Sequence, residues 1–527
     1  MNGEGTTVHK HRILACVSGV SFMIMLDSNI VAVSLPAIAR SLHADFASVE
    51  WVVSGYILAF ATCLMTAGSL ADRYGRRRVL ILGLSVFTLA SFLCGMARTP
   101  GFLNGARALQ GAGAALQLSS ALAVLGHEFR GAERARAYAV WGTVIGVAVT
   151  SGPIIGGLIT SGFGWQCAFL INLPVGALLL GLAATSVPES KDPDAHKLDY
   201  LGAALLGAGI FAIVWGVIGA GGHGWGSAWT LARLGLGGLL LPAFVLAERG
   251  QRRPMVDLAL FRDRTFLGSS ISMLGFAGAA QVMMTFLPLY LQNSYGSSPA
   301  QAGLRMLPFA LPLFLCPRLA SRAACRVSGR ALLTSGLFVV AAGNLFTALA
   351  APTLNYGLVA LGMTIVGCGA GLLNGETVRV QMSAAPPERG GMASGISGTT
   401  RFVGLLFGVA GLGAVLTLQL QAHWMAHLDL LGGLGAGQVH GFAQRVAAGN
   451  LGQAIAAVPG PLRASVTAAA RAGFAGAFAA VLRIASLVAG VAAILSWVLI
   501  RYADTQPHGS PAPPARMTPI IYDDDIA

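Results

Sequence analysis

Gly68-Ser-Leu-Ala-Asp72-Arg73-Tyr-Gly75-Arg76-Arg77-Arg78-Val-Leu80 lies between two long apolar runs. One acid and four arginines crowd a turn too short to be a domain. The stretch is therefore a tight loop where two membrane-length helices emerge on the same side. Arginines in short loops stay on the cytoplasmic face, so this loop orients the whole chain.

Composition agrees. The 527 residues are 55% hydrophobic and 10% charged, with a mean hydropathy of +0.70. So few charges cannot build a water-facing surface, which implies an integral membrane protein. The net charge of +13 is spread in short clusters between apolar runs, a pattern of topology and not of nucleic-acid binding. Cys16, Cys63, Cys94, Cys167, Cys316, Cys325 and Cys368 form no C-x-x-C pair and read as packing residues.

Runs of roughly 20 apolar residues suffice to cross about 30 Å of hydrocarbon. They fall at 13–35, 51–71, 79–97, 103–126, 138–160 and 165–186, then 200–219 and 230–247, then 266–291, 303–321, 331–350, 355–376, 397–419 and 479–500. The expected fold is all-α with fourteen transmembrane helices in the pattern six, two, six. Its parts are a first six-helix bundle (1–198), a two-helix insert (199–252), a second bundle (253–503) with an outer loop at 420–478, and a disordered tail from 504. Ala37-Ile38-Ala39 imitates a signal-peptidase site, but a run of about 20 residues carrying Asp27 suits an uncleaved first helix. With both termini inside, 24 of the 34 lysines and arginines fall in cytoplasmic segments. A one-helix error would scramble that asymmetry. Leu70-Ala71-Asp72-Arg73 and Leu319-Ala320-Ser321-Arg322 leave equivalent helices of the two bundles, a weak sign of related halves with a path between them.

Asp27 is the acid placed deepest in a helix, about 21 Å from Ile13 at 1.5 Å per residue. An acid there must be protonated, paired or facing water, which suits proton loading and release; the plainer reading is a neutral packing residue. Arg107 starts at a similar depth and is its natural partner, unless it reaches up to lipid headgroups. Gly146, Gly152-Pro153 and Gly156-Gly157 allow the fifth helix to bend or to seal against a neighbour. Glu376 is a second proton site or the partner of Arg379. Met283, Met284, Phe286 and Tyr290, with Asn374 on a later helix, offer a soft surface for varied apolar molecules or plain packing. No Gly-rich loop ends in Lys-Ser/Thr, so this chain does not drive transport with ATP. His423-x3-His427 lacks the glutamate of a zinc protease, and no metal or cofactor is expected beyond the proton. No nucleophile with a base sits at one membrane face, so an enzyme is not expected.

Several of these stretches are similar to a known family. Gly68-x-Leu70-Ala71-Asp72-Arg73-x-Gly75-Arg76-Arg77 resembles the loop 2–3 signature of the major facilitator superfamily. Leu26-Asp27-Ser28-Asn29-Ile30-Val31, the Arg107 stretch and Gly146-x5-Gly152-Pro153-x2-Gly156-Gly157 resemble its fourteen-helix drug/proton antiporter branch. Asn172-Leu173-Pro174, Pro254-x2-Asp257-Leu258 and the segment from Gln292 to Pro308 do so too, and the likeness runs from about 13 to 419. The resemblance implies alternating access between two bundles. It makes Asp27 the proton-linked acid, Arg107 its modulator, Asp72 and the arginines (Arg73, Arg76, Arg77) with Gly68 and Gly75 a cytoplasmic latch, and Gly152-Pro153 an antiport bend. Gln166 and Cys167 depart from the family after Trp165, and Ser321 stands where an acid would mirror Asp72. The expected protein is a proton-coupled exporter of small apolar or cationic compounds in a bacterial plasma membrane. The alternative is a carrier of one metabolite.

Overall fold

The structure is a computed structural model that describes residues 2–191, 199–251, 254, 256–386, 390–427, 436–456, 458 and 460–506. The expected tail beyond 506, and Lys197, Arg252, Arg253 and Arg389 of the charge survey, lie outside the described residues. Among those described, thirteen helices are long and apolar enough to cross a membrane, or fourteen when one bent pair is counted as a span.

The first bundle comprises α1 (Asn2–Leu42), α2 (Phe46–Tyr74), α3 (Arg76–Gly95), α4 (Pro100–Glu128), α5 (Gly131–Phe163) and the pair α6 (Gln166–Leu170) and α7 (Asn172–Ser186). The break at Ile171 precedes Pro174, which has no N–H to offer the preceding turn. The insert is α8 (Tyr200–His223) and α9 (Ala228–Gly250); α8 packs on α2 and on α17 (Gly390–Ala426), so it touches both bundles.

The second bundle departs from the expected spans in three places. The run at 266–291 divides into α10 (Arg264–Phe276), a π-helical turn at Ala277–Gln281 and α11 (Met283–Tyr295). The run at 303–321 is α12 (Pro299–Arg305) and α13 (Leu307–Ala323), bent by 41°. Pro308 opens α13, where its ring clashes with the carbonyl of the preceding turn and ends α12. After α14 (Gly329–Ala350), the run at 355–376 stops at Asn374 as α15 (Tyr356–Leu373). Gly375, at φ 97°, then turns the chain into α16 (Glu376–Ser383). A left-handed φ of this kind is open to glycine and costly for other residues.

The expected loop at 420–478 is largely helical. α17 runs on to Ala426, α18 (Ala436–Ala447) and α19 (Leu451–Ala456) follow, and α20 (Arg463–Leu499) begins sixteen residues before the expected span. The Ala-rich stretch 463–478 favours helix with or without lipid around it, so hydropathy alone set its start too late. Trp424 packs edge-on against Phe442, and Asn450 donates to the Ala39 carbonyl at 2.9 Å, fastening this segment to the end of α1. Asn450→Ala should cost about 1 kcal/mol by removing this buried hydrogen bond, the Ala39 carbonyl keeping its bond from the Ala44 amide. Thermal unfolding in detergent checks this, and an unchanged midpoint would remove the strap. The first residues of the expected tail are ordered: Tyr502–Thr505 is a 3-10 turn that holds Asp504 at 2.6 Å from the Thr265 hydroxyl.

The two ends of the bundle pair differ. At the end remote from the arginine turn, the bundles meet closely. Gln292 of α11 donates to the Val33 carbonyl of α1 at 2.9 Å, and the Ala300 amide donates to Ser161 Oγ at 3.1 Å. Gly157 of α5 lies under the Pro299 carbonyl, and Gly303 of α12 under that of Pro153, each with no room for a side chain. At the arginine-rich end, the ion pairs of the turn, Arg76 with Asp72 and Arg78 with Glu189, stay inside the first bundle. The structure is therefore sealed at one end.

Candidate functional site

Asp27 and Arg107 are fully buried, and Arg107 Nη1 stands 2.7 Å from Asp27 Oδ2. The rest of the carboxylate is satisfied by amides: Gln110 Nε2 donates to Oδ1 at 2.9 Å and Asn172 Nδ2 at 2.7 Å. Arg107 also donates to Gln110 Oε1 at 2.7 Å and to the Val52 carbonyl at 2.9 Å, and its guanidinium lies 4.2 Å from the Tyr56 ring centroid. Ser91 completes the set as acceptor from Gln110 at 2.8 Å. Five helices supply one closed polar network.

Its geometry has local causes. Arg107 and Gln110 lie three apart on α4 and share a face, so both reach α1. On the adjacent face Gly111 meets the Tyr56 carbonyl so closely that no Cβ fits, and this brings α2 under the guanidinium. Asn172 points inward because the α6–α7 break places it at the first position of α7. A buried ion pair is worth keeping only when its remaining donors and lone pairs are met. Both carboxylate oxygens of Asp27 are taken by donors, Oδ2 by Arg107 and Oδ1 by Gln110 and Asn172. Arg107 Nε and Nη1 are bonded, and the Tyr56 ring lies against the guanidinium.

The sequence pointed to Asp27 and Arg107 and placed Gln110 and Asn172 only in surrounding motifs. Their signal was present, since an acid in oil needs more than one donor, but neutral amides are common at helix ends.

The arginine turn closes on its own bundle. Gly75, at φ 112°, ends α2, and Asp72 Oδ1 accepts from Arg76 Nη2 at 2.9 Å. Glu189, in the segment after α7, accepts from the Arg77 amide at 3.3 Å and faces Arg78 Nε at 3.6 Å, while Arg77 also donates to the Ala184 carbonyl. Gly68 packs by Ser119, and Arg73 lies over Tyr74. The expected latch thus grips the chain after α7 in this conformation, and Glu189 is the residue missed.

On α5, Pro153 stays within one continuous helix. Gly152 and Gly156 admit Asn29 and Ile30 of α1, Gly146 takes the Phe314 ring, and Gly157 takes Pro299. These residues seal faces; the structure records packing there and no break. Glu376 is buried and pairs with Arg379 at 2.6 Å. The expected substrate surface does not converge. Tyr290 stacks on Phe478 at 4.4 Å and bonds the Ala351 carbonyl inside the second bundle, and Asn374 caps α15 at the arginine-rich end. Met283 and Met284 are buried, and Phe286 alone lines the seam between bundles. Helical spacing of soft residues fits packing as well as binding, which is why the sequence could not separate them. Arg401, a charge on α17, donates to Gln281 on the π turn at 2.9 Å. A groove of about 360 Å³ lies among α2, α4 and α8, apart from the Asp27 network.

Two helical bundles that meet at one end, the first holding a buried charge network, define a multi-pass membrane transporter. The chain belongs to the Major Facilitator Superfamily, whose profile matches residues 17–409. It is 36% identical over 409 residues to the multidrug resistance protein Stp of Mycobacterium tuberculosis, covering 77% of this chain and 76% of that one. It is 33% identical over 405 residues to the tetracenomycin C resistance and export protein of Streptomyces glaucescens, covering 77% and 75%. The fold is similar to that of a bacterial homologue of the human lysosomal transporter Spinster, with TM-score 0.64, 15% identity and coverage of 94% and 98%.

Proposed function

We propose that this protein is a proton-coupled exporter of small apolar or cationic compounds. It would work in a bacterial plasma membrane with the arginine turn in the cytoplasm and the sealed end outside. The carrying observation is the buried Asp27–Arg107 pair, whose members are satisfied wholly within one bundle. Relatives named for drug resistance and antibiotic export support the substrate class. Rocking of the bundles would strain that network, draw Arg107 from Asp27 and let the acid take a proton, whose inward movement drives export. One proton moving down 100 mV supplies about 2.3 kcal/mol.

Inside-out membrane vesicles test the reading. An acid-interior gradient should drive uptake of a fluorescent lipophilic cation, and a protonophore should abolish it. Uptake indifferent to the protonophore would exclude proton coupling. A screen of unrelated compounds in the same vesicles separates broad export from a carrier of one metabolite.

A further inference from the structure

A second carboxylate is buried outside the network just described. Glu50, one turn into α2 at the outer end, is 6% exposed, and its Oε1 has no hydrogen-bond partner. It sits in the seam between the bundles. The walls are Leu35 of α1, Val53 of α2, Thr285, Phe286 and Leu289 of α11, and Val409 of α17. The free space there is about 10 Å³, at the lower limit for one water. Gly413 of α17 lies against the carboxyl so closely that a methyl would overlap Oε1.

No titratable side chain faces Glu50 from these walls. The charged or titratable groups nearest the outer end on the elements packed around it are Asp27 and Arg40 on α1, Asp45 and Tyr56 on α2, Arg107 on α4, His423 on α17, and His440 and Arg445 on α18, with Arg401 further along α17. Arg40 donates to the Gly449 carbonyl at 3.2 Å and Asp45 caps α2. None forms an ion pair with Glu50. The phenols of α11 are engaged elsewhere, Tyr290 with Ala351 and Tyr295 beside Arg305.

An ionised carboxylate enclosed by apolar walls without a partner is far costlier than the neutral acid. The closed seam therefore accommodates Glu50 with its proton on, and separating α2 from α11 and α17 admits water that can take the proton away. We infer that Glu50 is a second proton-binding site, placed in the outer gate, and that the gate shuts only when this carboxyl is protonated. The role is distinct from that of Asp27, which is neutralised by Arg107 inside one bundle. The inference rests on the alternating-access reading and on no particular substrate.

The sign follows from linkage. The closed state binds one more proton at Glu50 than the open state, so raising the pH favours opening, by up to about tenfold in the open-to-closed ratio per pH unit. The test reads conformation instead of transport, so a failure to export any compound leaves it intact. Spin labels at Thr99→Cys and Thr353→Cys, exposed turns of opposite bundles, report the outer distance in a protein lacking the native cysteines. The full chain in lipid nanodiscs should show the short distance in acidic buffer and a growing long one in alkaline buffer. Glu50→Gln should hold the short distance at every pH. Gly413→Ala, which crowds the carboxyl without changing charge, should shift the distribution toward the long distance at every pH, and it carries the test if Glu50→Gln does not fold. A distance insensitive to pH in the parent chain, or the parent's pH response persisting in Glu50→Gln, overturns the inference.

Discussion

Asp27→Asn should abolish pH-gradient-driven export while the protein remains in the membrane. The variant removes the group that would exchange a proton but keeps an oxygen able to accept from Gln110 or Asn172. It also leaves Arg107 buried without a counter-charge, and losing one member of such a pair costs about 3–5 kcal/mol. Stability and coupling are therefore confounded in the single variant. Adding Arg107→Gln separates them, because a neutral pair needs no counter-charge. Thermal unfolding should show the double variant more stable than the sum of the single losses, as expected for residues in direct contact. Export should stay at background in both. Gradient-driven uptake by the folded double variant would show that neither group carries the coupling.

The charge network and the fold were legible in the sequence to different depths. Length and hydropathy of the runs sufficed to count spans, because oil demands about 20 apolar residues per crossing whatever the fold. Asp27 and Arg107 stood out for the same reason, each being a charge inside such a run. Glu50 did not, since it lies just before the run that begins at 51 and its burial depends on α11 and α17. Glu189 was hidden in a connecting segment, and its role exists only because Gly75 turns α3 back toward α7. Tyr290 shows the converse error. Its spacing with Met283 and Phe286 suggested a binding surface, but which flank of α11 faces Phe478 is decided by packing that no single helix encodes.

The seam offers the second large effect. Gly303 and Gly157 form a reciprocal contact, each beneath a backbone carbonyl of the opposite helix, Pro153 and Pro299 respectively. A side chain facing a backbone carbonyl cannot be accommodated by a rotamer change of its neighbour, so the backbones must separate. Overpacking of this kind costs about 1–3 kcal/mol. Here the cost falls on the closed state alone, since the contact does not exist once the bundles part. A penalty of that size shifts the open-to-closed ratio by roughly 5- to 150-fold. Gly303→Val should accordingly hold the outer end open, lengthen the distance between labels at Thr99 and Thr353, and cut gradient-driven export severely without lowering the amount of protein in the membrane. The effect should be independent of pH, unlike that of the Glu50 carboxyl in the same seam, because a valine carries no proton. A Gly303→Val protein that closes and exports like the parent would mean that α5 and α12 do not need this approach, and that the seal at that end is made elsewhere.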